Sequence, residues 1–222
     1  MQYLFHPQAS TPSLELRGDE HRYIFKVRRH REGEEIALRN LKDNQIYLYT
    51  ISSIDKKQAL LTLNYSKVLE VKAKKTLHIA WCVIDPKSIE KILPTLNEIG
   101  IEKISFIYCK RSQKSFRLDF KRLEKILLNS SQQCGRSQLM ELEMVEDLEA
   151  FLKLHPETVM LNFSKNVLTK ESNINTIAIG CEGGFTEEEM ALFEPKNIVG
   201  LDSPLILKSE SAVCAVGAKL LL

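Results

Sequence analysis

Apolar and polar positions alternate with different periods in the two parts of the chain. In residues 1–69 the apolar residues come in short runs with strand signals at 3–5, 14–16, 35–38, 45–54 and 59–64. Turn residues at 41–44 and 55–57 separate the later runs, as in a meander of hairpins. One helix is predicted over 19–29, with Ile24 and Val27 facing inward and the basic residues outward. This part therefore predicts a small β-rich domain, interpreted as a compact barrel.

From residue 76 onward, buried-type strands alternate with segments of helical period. Strands are predicted at 76–84, 104–108, 158–162, 176–179 and 197–201, and helices at 86–99, 119–133, 148–154, from 187 and from 209. Asp85 and Pro86 form a helix start, Gly100 a helix end, and Pro94 can kink the helix between them. Such alternation predicts a mostly parallel sheet with helices on both faces. The charged segment 70–75 divides the chain into predicted domains 1–70 and 71–222.

Two strand–loop–helix units near the C-terminus predict one ligand site. The motif G-C-E-G-G-F-T follows strand 176–179 and leads into a helix whose capping box is Thr186 and Glu189. The motif L-I-L-K-S-E-S-A follows strand 197–201. Loops at the carboxyl ends of neighbouring parallel strands form ligand sites in α/β sheets. Two alternatives stay open: an ordinary tight turn, and an apolar plug before a helix capped by Ser209.

Glycine spacing restricts the ligand class. The loop has neither the P-loop nor the dinucleotide-binding spacing, so a phosphate cradle is disfavoured and a backbone-held adenine remains open. Five widely spaced cysteines without a C-x-x-C pair predict reduced thiols and a cytoplasmic protein, and neither they nor the dispersed histidines have metal-site spacing. No apolar run reaches the length of a membrane span and no signal-peptide pattern is present.

The charge distribution points to nucleic acid only locally. A formal net charge of +2 gives no global signature of nucleic-acid binding. Basic residues concentrate in the predicted helix 19–29 and directly after it, where a solvated face and a phosphate-binding face are both possible. The polar helix end Q-Q-C-G-R at 132–136 is, by itself, an ordinary solvated C-terminus.

Taken together, these motifs resemble the RsmE family of ribosomal-RNA methyltransferases, a branch of the SPOUT superfamily. The resemblance rests on I-G-C-E-G-G-F-T at 179–186, L-K-S-E-S-A at 207–212 and Q-Q-C-G-R at 132–136, and on H-R-Y-I-F-K-V-R at 21–28 in the first domain. It covers the whole chain. Cys181 stands where the family has proline, and Lys208 where it has arginine.

The resemblance implies an N-terminal PUA-like β-barrel and a C-terminal SPOUT α/β domain with a deep trefoil knot. It implies S-adenosyl-L-methionine as cofactor, a homodimer packed through the last helix, and no membrane partner. The implied reaction is methylation of the N3 nitrogen of one uridine of 16S ribosomal RNA in the decoding region of the small ribosomal subunit. A SPOUT enzyme for another RNA site and a non-catalytic RNA-binding relative are the alternatives.

The resemblance also assigns candidate site residues. The predicted catalytic residues are Lys208, Glu210, Glu182 and Arg136. The predicted cofactor-binding residues are Leu161, Gly180, Cys181, Glu182, Gly183, Leu201, Leu205, Ile206, Leu207 and Ser211. The predicted RNA-binding residues are Arg22, Lys26, Arg28, Arg29 and Arg111. No metal ligand is predicted.

Overall fold

The computed structural model describes residues 1–222, and these divide into two compact units. The N-terminal unit contains Met1–Lys72 together with Ser131–Leu139, and the C-terminal unit contains Ala73–Ser130 and Met140–Leu222. The single predicted boundary after residue 70 places the later segment Ser131–Leu139 in the second domain, whereas in the structure it belongs with the first unit. That segment begins inside a helix, so no change of composition marks it.

The N-terminal unit is built on a five-stranded sheet. Its strands are β1 (Leu4–Phe5), β2 (Ser13–Arg17), β3 (Glu35–Arg39), β4 (Gln45–Ile54) and β5 (Gln58–Val68), and helix α1 (Gly18–His21) continues as a π-helical turn over Arg22–Val27. The strand order is β1-β3-β4-β5-β2, with β1 parallel to β3 and the other pairs antiparallel. Since β1 and β2 are edge strands that do not pair with each other, the hydrogen-bonded sheet is open and does not close into the predicted barrel.

Buried and exposed side chains alternate along β2, and the buried ones contribute to the hydrophobic core of this unit. Leu14 and Leu16 of β2 are buried between exposed neighbours, as expected of a strand with one face covered. Together with Leu38, Ile51 and Leu61 they belong to one hydrophobic cluster. The prediction for Val27 is wrong, because its side chain is 63% exposed while Ile24 is buried.

The C-terminal unit contains a six-stranded parallel sheet. Its strands are β6 (His78–Cys82), β7 (Lys103–Ile107), β8 (Glu141–Val145), β9 (Val159–Leu161), β10 (Thr176–Ile179) and β11 (Ile198–Val199), in the order β11-β9-β10-β6-β7-β8. The chain helices after α1 are α2 (Pro86–Ile99), α3 (Phe120–Cys134), α4 (Leu148–Leu154), α5 (Glu187–Met190) and α6 (Ser209–Leu221). A short 3-10 turn, Pro195–Asn197, precedes β11.

Local sequence signals predicted the ends of α2 correctly. The Asp85 side chain accepts a hydrogen bond from the Ser88 N–H at the start of α2, and Gly100 ends the helix with φ of 103°. Pro94 lies inside α2, which continues through it. Strand β8 was missed because it is an edge strand in which two glutamates interrupt the apolar residues, so that it has no continuous apolar run. None of the helices combines the length and apolarity needed to span a bilayer.

The thiol prediction is wrong for one cysteine pair. The sulfur atoms of Cys82 and Cys109 form a disulfide, with their Cα atoms 5.6 Å apart. Cys82 ends β6 and Cys109 follows β7, its neighbour in the sheet, so the pairing arises from strand order and not from sequence spacing. Cys134, Cys181 and Cys214 take part in no disulfide.

Candidate active site

A cavity of about 440 Å³ lies at the carboxyl ends of β9, β10 and β11 in the C-terminal unit. These strands are parallel neighbours, so the loops that follow them meet at one edge of the sheet. Residues 161–164, 179–182, 184, 185, 200, 201, 203, 205–209 and 212 line it. The cavity is the strongest candidate for a ligand site, because its size falls within the usual range for small-molecule sites.

The loop after β10 is a tight glycine turn. An added Cβ at Gly180 would lie 3.2 Å from the Cα of Gly184, and Gly184 itself has φ of +66°. The Gly184 N–H donates to the Cys181 carbonyl across 2.9 Å. Glycine suits both positions, at Gly180 because the backbones approach closely and at Gly184 because the conformation is left-handed.

The loop after β9 is fastened to the end of β11. The Asn162 N–H donates to the Val199 carbonyl at 2.9 Å, the Gly200 N–H to the Asn166 carbonyl at 2.9 Å, and the Leu168 N–H to the Gly200 carbonyl at 2.8 Å. A Cβ at Gly200 would collide with the carbonyl oxygen of Ser164. The second wall of the cavity is therefore held in place by backbone hydrogen bonds on both sides of Gly200.

The third loop presents apolar side chains to solvent. Leu205 is 72% exposed and Ile206 81% exposed, although both line the cavity. The backbone of Ile206 and Leu207 makes no backbone hydrogen bond within the chain. Exposed apolar side chains next to unpaired backbone groups suit a flat ligand with polar edges, such as an adenine.

Ser209 fixes the start of α6 to the end of β10. Its hydroxyl donates to the Gly180 carbonyl at 2.5 Å and accepts from the Trp81 indole N–H at 2.9 Å. Ser209 and Trp81 are both buried. The alternative that Ser209 caps the helix is wrong, since Lys208 is the N-cap residue and no side-chain cap hydrogen bond is present.

A buried carboxylate and an arginine support the glycine loop. Glu189, 4% exposed, accepts hydrogen bonds from the N–H groups of Thr186 and Lys110, each at 2.8 Å. The predicted capping box is confirmed. The Arg111 guanidinium donates to the carbonyls of Gly183 at 2.6 Å and Phe185 at 3.2 Å. Arg111 thus positions the loop, and RNA binding by this residue stays a prediction.

Most of the predicted cofactor-binding residues meet at the cavity. Those lining it are Leu161, Gly180, Cys181, Glu182, Leu201, Leu205, Ile206 and Leu207, whereas Gly183 and Ser211 do not line it. Among the predicted catalytic residues, Lys208 and Glu182 line it with exposed side chains. Glu210 is half-buried in the first turn of α6, and Arg136, 8% exposed, belongs to the N-terminal unit. The roles of all these residues stay predictions.

Sequence reasoning missed the polar and aromatic residues of the β9 loop. Asn162, Phe163 and Ser164 line the cavity, as do Gly200 and Ser209. The signal was present, because residues 162–164 lie at and directly after the end of the predicted strand 158–162, at the sheet edge where the other two loops were sought.

The predicted RNA-binding arginines and lysine of the N-terminal unit lie on or just after the π-helical turn. Arg22, Lys26 and Arg29 are exposed. The Arg28 guanidinium instead donates to the Tyr23 hydroxyl at 2.9 and 2.7 Å and to the Gln2 side-chain oxygen at 2.6 Å. Three of the four cations are therefore available to an external partner, and RNA contact stays a prediction.

Comparison with known proteins shows which class of protein this chain belongs to. The family described as "RNA methyltransferase domain" matches residues 71–221, and the family described as "RNA methyltransferase PUA domain" matches residues 16–64. The fold recurs in a putative methyltransferase of Legionella pneumophila with bound SAM, at 24% identity, TM-score 0.78 and coverage of 97% of this chain and 94% of that one. It also recurs in a small-subunit methyltransferase E of Neisseria gonorrhoeae bound to S-adenosyl methionine, at 18% identity, TM-score 0.77 and coverage of 98% and 95%. The N-terminal unit is thus PUA-like, and the C-terminal unit is an RNA methyltransferase domain.

A full-length relative narrows the class. Ribosomal RNA small subunit methyltransferase E of Helicobacter pylori is 39% identical over 222 residues, covering 98% of each chain. The relative of the same name from Rickettsia conorii is 24% identical over 94% of this chain and 89% of its own length. The chain belongs to the RsmE family of ribosomal RNA small subunit methyltransferases, and the resemblance seen in its motifs is confirmed.

Proposed function

We propose that this protein transfers a methyl group from S-adenosyl-L-methionine to the N3 nitrogen of one uridine of 16S ribosomal RNA, in the decoding region of the small subunit. The observation that carries the proposal is the cavity at the ends of β9, β10 and β11, lined by the two motifs that resemble the family. The reaction assigns the protein to the cytoplasm, where small subunits assemble.

The cavity residues fit the cofactor. Its volume of about 440 Å³ suits a ligand of this size. Leu201, Ile206 and Leu207 offer apolar contacts to a flat base, and the unpaired backbone of Ile206 and Leu207 offers donors and acceptors to its edge. Glu182 provides a carboxylate on the wall of the same cavity for a cationic ligand. When bound, the cofactor supplies an electrophilic methyl group on a positively charged sulfur.

The chain's own residues then activate and orient the uracil. N3 becomes a nucleophile only after it loses its proton, and the negative charge that develops spreads onto the carbonyl oxygens O2 and O4 on either side of it. The Lys208 ammonium, exposed on the cavity wall, is proposed to stabilise that oxyanion. Glu182 is the proposed proton acceptor, with Glu210 as the alternative. Alignment of N3 with the methyl group by the cavity walls provides much of the remaining rate.

The same proposal includes a homodimer and a knot. The half-buried Cys214, Ala215 and Ala218 and the exposed Ser211 form a small-residue face of α6 that suits close packing against a second copy. Arg136 of the second copy is proposed to reach the substrate. Insertion of β10 between β9 and β6, and attachment of α6 to Gly180 through Ser209, support a trefoil-knotted chain. Light scattering of the purified protein tests the dimer.

The proposed RNA contacts lie mainly on the PUA-like unit. Arg22, Lys26 and Arg29 are exposed there and would contact phosphates, with Arg28 positioned beside them by Tyr23. Arg111 would add a contact beside the glycine loop.

Methyl transfer from labelled cofactor tests the function directly. The substrates are small subunits and free 16S RNA from a strain that lacks the gene, with large subunits as control. We expect incorporation at one uridine, mapped by mass spectrometry as 3-methyluridine, with subunits as the better substrate. Incorporation into transfer RNA or at a ribose would contradict the proposal and favour another RNA site.

Substitutions at the cavity test the residue roles. We expect Lys208→Ala to lower the single-turnover rate about 100-fold, as when one preorganised oxyanion donor is removed. Lys208→Arg should retain most of the activity, since it restores a cation. Glu182→Gln and Glu210→Gln identify the base, and full activity in both would exclude a carboxylate base at these positions.

A further inference from the structure

Phe163 is an exposed aromatic side chain at the edge of the candidate cofactor cavity. It is 79% exposed, the largest exposed fraction among the large hydrophobic residues of the chain after Ile206. It also lines the cavity, between Asn162 and Ser164. It contributes nothing to either hydrophobic core. Neither core packing nor loop formation therefore explains an aromatic residue at this position.

The backbone of the loop that carries Phe163 is anchored by hydrogen bonds on both sides of the ring. The Phe163 N–H donates to the Asn162 side-chain oxygen at 2.9 Å. Asn162 in turn donates through its backbone to Val199 and through its side-chain amide to the Met190 sulfur, both at 2.9 Å. On the far side, Asn166 is held by the Gly200 N–H. The ring is presented to solvent by a backbone that is anchored before and after it.

We propose that Phe163 is the platform on which the target base of the RNA stacks when it enters the site. This inference rests on the proposed function. A base that undergoes chemistry must leave its helical stack, and proteins replace the lost stacking with an aromatic side chain. Exposed Lys165 lies two residues further along the loop, and Lys208 lines the same cavity from the loop after β11. An exposed aromatic ring with one cation on its own loop and another at the same cavity matches a base with its adjoining phosphates.

Two other occupants are less consistent with the geometry. The adenine of the cofactor already has its proposed apolar contacts in Leu201, Ile206 and Leu207, which follow β11, so it does not require the Phe163 ring on the loop after β9. A second copy of the chain needs a contiguous apolar face, whereas the neighbours of Phe163 in the loop are polar or charged: Asn162, Ser164, Lys165 and Asn166. Both occupants become outcomes of the test.

The experiment measures RNA methylation and cofactor binding on a matched series. The variants are Phe163→Ala, Phe163→Leu, Phe163→Tyr and Phe163→Trp. The control is Leu154→Ala, since Leu154 is also an apolar side chain, 72% exposed, in the same unit and outside the cavity. We expect Phe163→Ala and Phe163→Leu to lower kcat/KM for RNA about 10- to 100-fold, and Tyr and Trp to stay within about threefold, because stacking requires a ring.

Cofactor affinity and oligomeric state separate the three occupants. If the target base is the occupant, the Kd for S-adenosylmethionine by calorimetry and the mass in solution stay at wild-type values in all variants. A parallel loss of cofactor affinity in Phe163→Ala would assign the ring to the adenine. A shift in mass would assign it to a subunit interface. Either result, or near wild-type kcat/KM in Phe163→Ala, overturns the proposal.

An RNA with an abasic target nucleotide locates the stacked base. We expect Phe163→Ala to weaken binding of the intact RNA and to leave binding of the abasic RNA unchanged. Equal weakening on both RNAs would assign the ring to a flanking base and overturn the proposal. A failure of the proposed function would give a different result. The wild-type protein itself would then not methylate uridine at N3, whatever the Phe163 variants do.

Discussion

The two ends of the parallel sheet in the C-terminal unit differ in how far their side chains are paired with one another. At the amino end, polar side chains from neighbouring strands bind one another. The His78 ring nitrogen and the Ser105 hydroxyl lie 2.7 Å apart, Ser105 donates to Glu143, and Lys103 pairs with Glu143 at 2.8 Å. At the carboxyl end, glycine loops enclose an open cavity whose walls include exposed leucine, isoleucine and phenylalanine.

This difference shows how one sheet separates stability from ligand binding. Polar groups that already have partners gain little from a ligand, so the amino end offers few groups for binding one. Apolar groups left in water and backbone groups left unpaired gain much from a ligand, so the carboxyl end is poised to bind one. Changes at the two ends should therefore separate cofactor affinity from stability.

The largest effect is expected from Gly200→Val at the carboxyl end. The new side chain would collide with the Ser164 carbonyl and push the β9 loop away from β11. We expect the Kd for S-adenosylmethionine to rise at least about 100-fold and the free energy of unfolding to fall by about 1–3 kcal/mol. Calorimetry and denaturant titration measure both.

The matched change at the amino end is Thr176→Val, which removes the hydroxyl that donates to Glu157 at 3.1 Å. It should lower stability by about 1 kcal/mol and leave the cofactor Kd unchanged. Unchanged cofactor affinity in Gly200→Val, or a loss of affinity in Thr176→Val, would break the distinction between the two ends.

Ser209→Ala is expected to have the next largest effect. It removes the hydroxyl that joins the Trp81 indole to the Gly180 carbonyl, and leaves a buried donor and acceptor without their partner. We expect a loss of about 2 kcal/mol in the free energy of unfolding and weaker cofactor binding, since the Gly180 loop loses its anchor. Ser209→Thr, which keeps a hydroxyl, should recover most of both. Equal losses in the two variants would point to packing and not to the hydrogen bonds.

A smaller, pH-dependent effect is expected at His78. Burial lowers the pKa of His78 from 6.5 to about 4, and the nearby His155 and Lys103 add to the shift. Between these pH values the unfolded chain binds a proton that the folded chain does not, so stability falls as pH falls through this window. His78→Gln should flatten the dependence of the unfolding free energy on pH between 6.5 and 4. A slope equal to that of wild type would contradict this assignment.

The smallest effect is expected at Glu188. Its carboxylate contacts Lys110, but both side chains are exposed, and such ion pairs contribute little to stability. Glu188→Gln should leave the melting temperature unchanged. Its neighbour Glu189 is buried and accepts two backbone N–H groups, so Glu189→Ala should lower the melting temperature clearly. Similar changes in melting temperature from the two substitutions would contradict this difference between the neighbouring carboxylates.

Strong local signals in the sequence were sufficient to predict most helices and strands. Asp85 with Pro86, Gly100, and Thr186 with Glu189 marked helix ends that the structure reproduces, because caps satisfy backbone groups within a few residues. Strand β8 and the assignment of Ser131–Leu139 to the N-terminal unit had no such local signal. The strand and the segment are each defined by the part of the chain against which they pack, and that contact is long-range in sequence.

The candidate site shows the same division. Motif spacing predicted that the loops after β10 and β11 belong together, and eight of the ten predicted cofactor-binding residues line one cavity. The wall formed by the loop after β9, with Asn162 and Phe163, was not foreseen, since that loop carries no motif of its own.

The sequence by itself determined the class of fold, the family and the two motif-bearing loops, because hydrophobic period, caps and glycine spacing are local and leave a direct trace in residue order. Only the tertiary structure decided that β10 lies between β9 and β6, that Cys82 meets Cys109, and that Arg111 holds the glycine loop. It also decided that Phe163 stands exposed at the cavity. These features arise from strand order, which brings together residues far apart in the chain and is set by packing of the whole sheet.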